Sequence, residues 1–95
     1  VTAKIEVEKI DATHFQVRVN EGGTASTHQV TLDPKYRVKL AGEEVQPEEL
    51  IRKSFEFLLE REPKESILAR FDLTVISRYF PEYEREIKKR CSPRL

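Results

Sequence analysis

Ninety-five residues with 38% hydrophobic and 36% charged content suit one globular domain with one core, too short for a catalytic domain plus a separate binding domain. Seventeen Lys and Arg balance seventeen Asp and Glu, so no global field steers the chain toward nucleic acid or an anionic membrane. The single cysteine, Cys91, excludes an intrachain disulfide and a multi-cysteine zinc site, and no apolar run reaches the length of a membrane span. A cytoplasmic, untargeted protein is the expectation.

The first forty residues alternate apolar and polar with period two, which predicts four half-buried strands. Ala3, Ile5 and Val7 mark the first, Phe15, Val17 and Val19 the second, Val30 and Leu32 the third, and Tyr36, Val38 and Leu40 the fourth. Gly22-Gly23 supplies the positive φ of a tight hairpin and sets Val17 opposite His28 and Phe15 opposite Val30. A loop around Asp11 sets Val7 opposite Phe15, and a turn at Asp33-Pro34-Lys35 sets Val30 opposite Val38. All four apolar sets then share one face, which reads as an antiparallel meander.

The period becomes helical at Gln46-Pro47-Glu48-Glu49, a helix start with proline at the first position and acids in the first turn. A helix over 47–62 follows, and Phe57 widens its apolar side beyond what a sheet alone would cover. Ile67, Leu68 and Phe71 predict a short helix before Asp72, which caps a further one carrying Leu73, Val75, Ile76, Tyr79 and Phe80 as far as Pro81. A last, exposed helix is expected near 83–90, anchored by Tyr83 and Ile87 and laced by Glu84–Lys88 and Glu86–Arg90 pairs. Residues 91–95 read as a frayed end. The predicted fold is thus α+β, one domain over 1–95, with a four-stranded antiparallel meander (about 3–40) and two to three helices on one face (about 47–90).

Sites are sparse. His14 and His28 fall in opposite phases of their strands, so they share no metal, and His28 reads as a core-edge histidine with a hydrogen-bond partner. The predicted register places His14 opposite Glu8, with Arg18, Gln16, Glu6 and Gln29 on the same polar face. Such a face could hold a polar ligand, with Glu8, His14 and Arg18 as its core, although an ordinary wetted sheet surface has the same composition. Neither a cofactor nor a metal is expected, since no phosphate-cradling glycine loop, paired helical histidines or nucleophile elbow is present in the sequence.

Residues 66–78 have the length of a helix-turn-helix but no glycine at the turn, and Pro81 interrupts the would-be recognition helix. The basic residues Arg85, Lys88, Lys89, Arg90 and Arg94 fit an ordinary helix C-terminus as well as they fit phosphate contacts.

The segments Ser54-Phe55-Glu56-Phe57-Leu58-Leu59-Glu60-Arg61-Glu62-Pro63 and Ile76-Ser77-Arg78-Tyr79-Phe80-Pro81-Glu82-Tyr83 resemble a family of small uncharacterised bacterial proteins. The resemblance covers the helical half and implies no activity and no functional residues.

The function expected from these features is a non-enzymatic interaction or regulatory module, a homodimer with Phe57, Tyr79, Phe80 and Tyr83 at or near the contact. Nucleic-acid binding through the basic C-terminal helix is the alternative. A small-molecule enzyme built on Glu8, His14 and Arg18 is the third.

Overall fold

The computed structural model describes residues 3–91. Strands β1 (Lys4–Lys9), β2 (His14–Glu21) and β3 (Thr24–Thr31) form an antiparallel unit. Helices α1 (Pro34–Ala41) and α2 (Pro47–Leu59) follow, then a 3-10 turn (Lys64–Ser66), β4 (Arg70–Asp72), α3 (Val75–Tyr79) and α4 (Tyr83–Cys91). The four-stranded sheet has the order β1-β2-β3-β4, with β4 parallel to β3. The α+β class stands, but the sheet is mixed and is not a pure antiparallel meander.

The β2–β3 hairpin has the expected register, Phe15 opposite Val30 and Val17 opposite His28. Gly22 and Gly23 take φ values of 61° and 83°, the left-handed pair that a two-residue hairpin turn demands. A Cβ at Gly23 would touch nothing within 4 Å, so the cost of a side chain there is conformational. Gly23→Val is expected to lower stability by about 1–2 kcal/mol, and Gly23→Asn by clearly less, in urea melts.

Between β1 and β2 the register differs by two residues from the expected one: Val7 faces Val17 and Lys9 faces Phe15. The Asp11 carboxylate accepts from the backbone N–H of Thr13 and of His14, both at 2.9 Å, and so closes the loop more tightly than the alternation alone suggests. A shift of two preserves the phase. Phe15, Val17, Val19, His28 and Val30 therefore remain together on the buried face.

The expected fourth strand is α1. The Asp33 side chain accepts from the Lys35 N–H at 2.8 Å and Pro34 occupies the first helical turn, so the supposed turn is a helix start. Tyr36 and Leu40 are four apart and serve a helix face as well as alternate positions of a strand, while Val38 between them is 39% exposed. Gly42, at φ 83°, ends the helix.

The short helix expected at 67–71 is instead extended chain leading into β4. Its backbone completes the open edge of β3: Gln29 N–H donates to Ala69 O at 2.7 Å, and Leu73 N–H to Thr31 O at 2.9 Å. The connection from β3 passes through α1 and α2, the kind of crossover that a parallel pair requires. The helix-turn-helix reading of 66–78 thereby disappears, leaving a three-residue strand and a five-residue helix. The Asp72 carboxylate does cap the following turn, accepting from Thr74 N–H at 2.9 Å.

Helix α2 is buried on two sides. On one, Phe55 packs 5.3 Å from the His28 ring and 6.0 Å from Phe71, against the sheet. On the other, Ser54 and Phe57 meet Tyr83 of α4: the two hydroxyls lie 2.7 Å apart and the Phe57 and Tyr83 rings 5.4 Å apart. The breadth of apolar residues around α2 is thus explained by a sheet below and a helix above. Tyr83 and Ile87 anchor α4 at 0% exposure, as expected.

The ion pairs of α4 run elsewhere than predicted. Glu84 accepts from the Tyr36 hydroxyl at 2.9 Å, and Arg90 donates to Glu60 at 2.7 Å, so α4 is tied to α1 and α2 and not to itself. Burial and the neighbouring Glu84 carboxylate push the Tyr36 phenol up. Cys91, expected in a frayed end, is the buried last residue of α4, where burial raises its thiol pKa. Residues 92–95, Arg94 among them, lie outside the described residues.

Candidate interaction groove

Phe71 of β4 and Leu58 of α2 point toward a hollow of about 370 Å³ that Val75, Ile76, Tyr79 and Phe80 close from the α3 side. Ser66, Ile67 and Leu68 form its other wall and Glu62 its polar lip. The chain makes this hollow because three short elements meet there. The 3-10 turn aims Ile67 inward and leaves Leu68 outward, while α3 is too brief to carry both Tyr79 and Phe80 into the core.

Leu68 is 48% exposed and Tyr79 67% exposed, two of the four large apolar side chains left open among the described residues. Both line this groove. Behind this rim the walls reach the core, with Ile76 and Phe71 mostly covered.

Of the four residues expected at a contact, the structure brings Phe57, Phe80 and Tyr83 together, with Phe57 5.9 Å from Phe80. Phe57 and Tyr83 are fully covered within the chain. The Arg61 guanidinium lies 3.6 Å from the Phe57 ring centre and pairs with Glu82 at 3.1 Å, forming a charged cover over the ring. Burial pushes the Tyr83 phenol up, and its hydroxyl is satisfied by Ser54. Neither side chain is available to a partner, whereas Tyr79 and, in part, Phe80 are.

The polar face of the sheet does carry Glu8, His14 and Arg18, but not as one constellation. Glu8 faces Gln16, Arg18 faces Glu6 and Thr27, and His14 faces Thr31 with no partner on β1. The two-residue register difference removes the expected Glu8–His14 pair. The His14 ring instead bonds Asp11, 2.9 Å from its carboxylate, beside Thr13. The backbone N–H of Thr13 and then the His14 ring hold the Asp11 carboxyl down at about 2. That arrangement closes a loop. It does not aim the imidazole at the sheet face.

His28 is 2% exposed and satisfied at both nitrogens: Nδ1 donates to Leu68 O at 2.8 Å and Nε2 accepts from the Ser26 hydroxyl at 2.8 Å. The carbonyl can only accept, which fixes the tautomer of the neutral ring. It ties β3 to the wall of the groove. In the C-terminal basic cluster, Arg90 is committed to Glu60 and lies 5.7 Å from the Phe57 ring, which leaves Arg85, Lys88 and Lys89 as its exposed members among the described residues.

No group of three metal-ligating side chains comes together among the described residues. No helix there is long and apolar enough to cross a membrane. Comparison of the chain with family models, with curated proteins and with solved structures finds no match.

The sequence reading found Tyr79 and Phe80 but missed Leu68, Ile67 and Phe71 as groove residues. The signal was present and misassigned. Leu68 lies between the buried Ile67 and Phe71 in a segment whose apolar residues predict a short helix, and in a helix the three would share one covered face.

Proposed function

We propose that the chain is a small non-enzymatic protein-interaction module whose working surface is the groove between the 3-10 turn, β4 and α3. The observation that carries this reading is the coincidence of two highly exposed apolar side chains, Leu68 and Tyr79, on the rim of one apolar hollow. Exposed apolar residues scattered singly have no such meaning, but grouped around a concavity they mark a contact surface.

The occupant that fits is an extended segment of a partner protein. In the parallel β3–β4 pair the backbone of Ala69 and Leu73 bonds to β3, which turns the N–H and C=O of Arg70 and Asp72 toward the open side. A strand added there would gain main-chain bonds from this edge while one apolar side chain entered the groove beside Phe71. Glu62 at the lip favours a basic residue next to that apolar anchor.

Selection from a library of displayed random heptapeptides tests this reading. Peptides sharing an apolar anchor beside Lys or Arg should be enriched, and they should lose binding at least about tenfold to Leu68→Glu and to Tyr79→Ser, rim variants that keep the melting temperature within a few degrees. Absence of enrichment, or peptides indifferent to both variants, would overturn it.

A further inference from the structure

The opposite edge of the sheet, β1, carries an interaction surface of a different kind. Ile10 N–H donates to His14 O at 2.9 Å, which extends the β1–β2 ladder and fixes its phase. Even-numbered residues of β1 turn their backbone groups toward β2. Odd-numbered ones, Ile5, Val7 and Lys9 with Ala3 before them, turn theirs outward. No hydrogen bond among the described residues engages those outward groups. The side chains of Ile5 and Val7 are half-buried and continue the core face to the rim.

An uncovered edge six residues long is an adhesive surface that folded proteins commonly guard with charge. Here the charges are Lys4, Glu6, Glu8 and Lys9, of mixed sign, and mixed signs select a register as readily as they forbid pairing.

A two-fold antiparallel pairing of β1 with its own copy can be centred on Ile5, Glu6 or Val7. Centred on Val7 it opposes Glu6 to Glu8 twice, and centred on Glu6 it opposes Glu6 to itself between two Lys4–Glu8 pairs. Centred on Ile5 it sets Lys4 against Glu6 twice, Ile5 against Ile5 and Ala3 against Val7, with no like charges opposed within residues 3–7. Because the odd residues make the hydrogen bonds, Lys4 and Glu6 fall in the closer, non-bonded pairs, where side-chain charge acts most strongly. The side chains of Lys4 and Glu6 are 75% and 52% exposed and already share a face, 3.5 Å apart.

We infer that β1 is a self-association edge: two copies of this chain join through antiparallel β1 strands centred on Ile5, in a continuous eight-stranded sheet with a groove at each far end. The occupant is a second copy because the charge pattern is complementary to itself, and the register centred on Ile5 is the one of the three that sets no like charges opposite each other within residues 3–7. Such a dimer is bivalent toward any target that repeats the segment the grooves accept, but its existence does not depend on the grooves.

Sedimentation velocity on the intact chain and its variants tests the inference. The wild type should form a dimer with a dissociation constant on the order of 100 µM, the range of a small interface dominated by main-chain bonds. Lys4→Glu and Glu6→Lys should each weaken it at least about tenfold, and the double variant Lys4→Glu/Glu6→Lys should restore it, since only the exchanged pair recovers attraction across the two-fold. Circular dichroism should show all three folded. A wild type monomeric to about 1 mM overturns the inference, as does a dimer that Lys4→Glu leaves unchanged. In the second case, loss of the dimer in Leu68→Glu would assign it to the groove, and peptide binding by the monomer would be judged separately.

Discussion

Phe57→Glu is expected to unfold the chain, and Phe57→Ala to lower its stability by about 4 kcal/mol in urea melts followed by circular dichroism. Phe57 is 0% exposed and packs edge-on to both Phe80 and Tyr83, under the Arg61 guanidinium. Truncation leaves a cavity at the α2–α4 contact and strands the cation without its ring. A carboxylate there would be buried beside aromatic rings, a cost comparable to the roughly 5–15 kcal/mol that holds a domain of this size together. Tyr79→Ala, by contrast, should change stability by no more than about 0.5 kcal/mol, because most of that side chain is in solvent. A folded Phe57→Glu variant would contradict the packing described for α2.

The second large effect concerns the sheet. Val17→Asp should abolish cooperative unfolding, whereas Gln16→Asp should cost about 1 kcal/mol. Val17 is 0% exposed, opposite Val7 on one side and His28 on the other, so an aspartate there is a charge in the centre of the core. Gln16 points to the other face, where it accepts from Gln29 Nε2 at 3.3 Å and faces Glu8. Its replacement gives up a weak hydrogen bond and sets two carboxylates opposite each other, which explains a small loss but not a large one. Equal denaturation midpoints for the two variants would mean that the faces of β2 have been exchanged.

The division of the sheet into a buried and an open face was legible in the sequence because period-two alternation survives any even shift of register. For the same reason the alternation could not distinguish Val7 opposite Phe15 from Val7 opposite Val17. The Asp11 side chain decides between them by closing the loop, and its bonds depend on three-dimensional geometry. The β2–β3 hairpin could be read in full, since Gly22-Gly23 fixes loop length and register together. Asp33-Pro34 was ambiguous as turn or helix start, and Tyr36 and Leu40, four apart, satisfy both periods.

The strand at 70–72 carried the weakest signal. Nothing local distinguishes it from a helical turn, and its hydrogen-bond partners lie on β3, far back in the chain. The groove was half legible for a related reason: Tyr79 and Phe80 were apparent as apolar surplus, but Leu68 becomes a rim residue only once its segment is extended. His28 was correctly placed at the core edge, although its role in holding the Leu68 carbonyl is a property of tertiary structure.

That bond also bears on the order in which the molecule assembles. β1, β2 and β3 pair through short loops and can zip up locally, but the His28–Leu68 contact joins residues 40 positions apart and has to close a far longer loop. β4, three residues long and attached along one side, is therefore expected to join the sheet last. Short, late-docking segments of this kind open without the rest of the fold. Backbone amides around 69–73 should exchange with solvent far sooner than those at the centre of β2. The module would then present its proposed binding edge on the part of the sheet most able to separate and rejoin while the core remains intact.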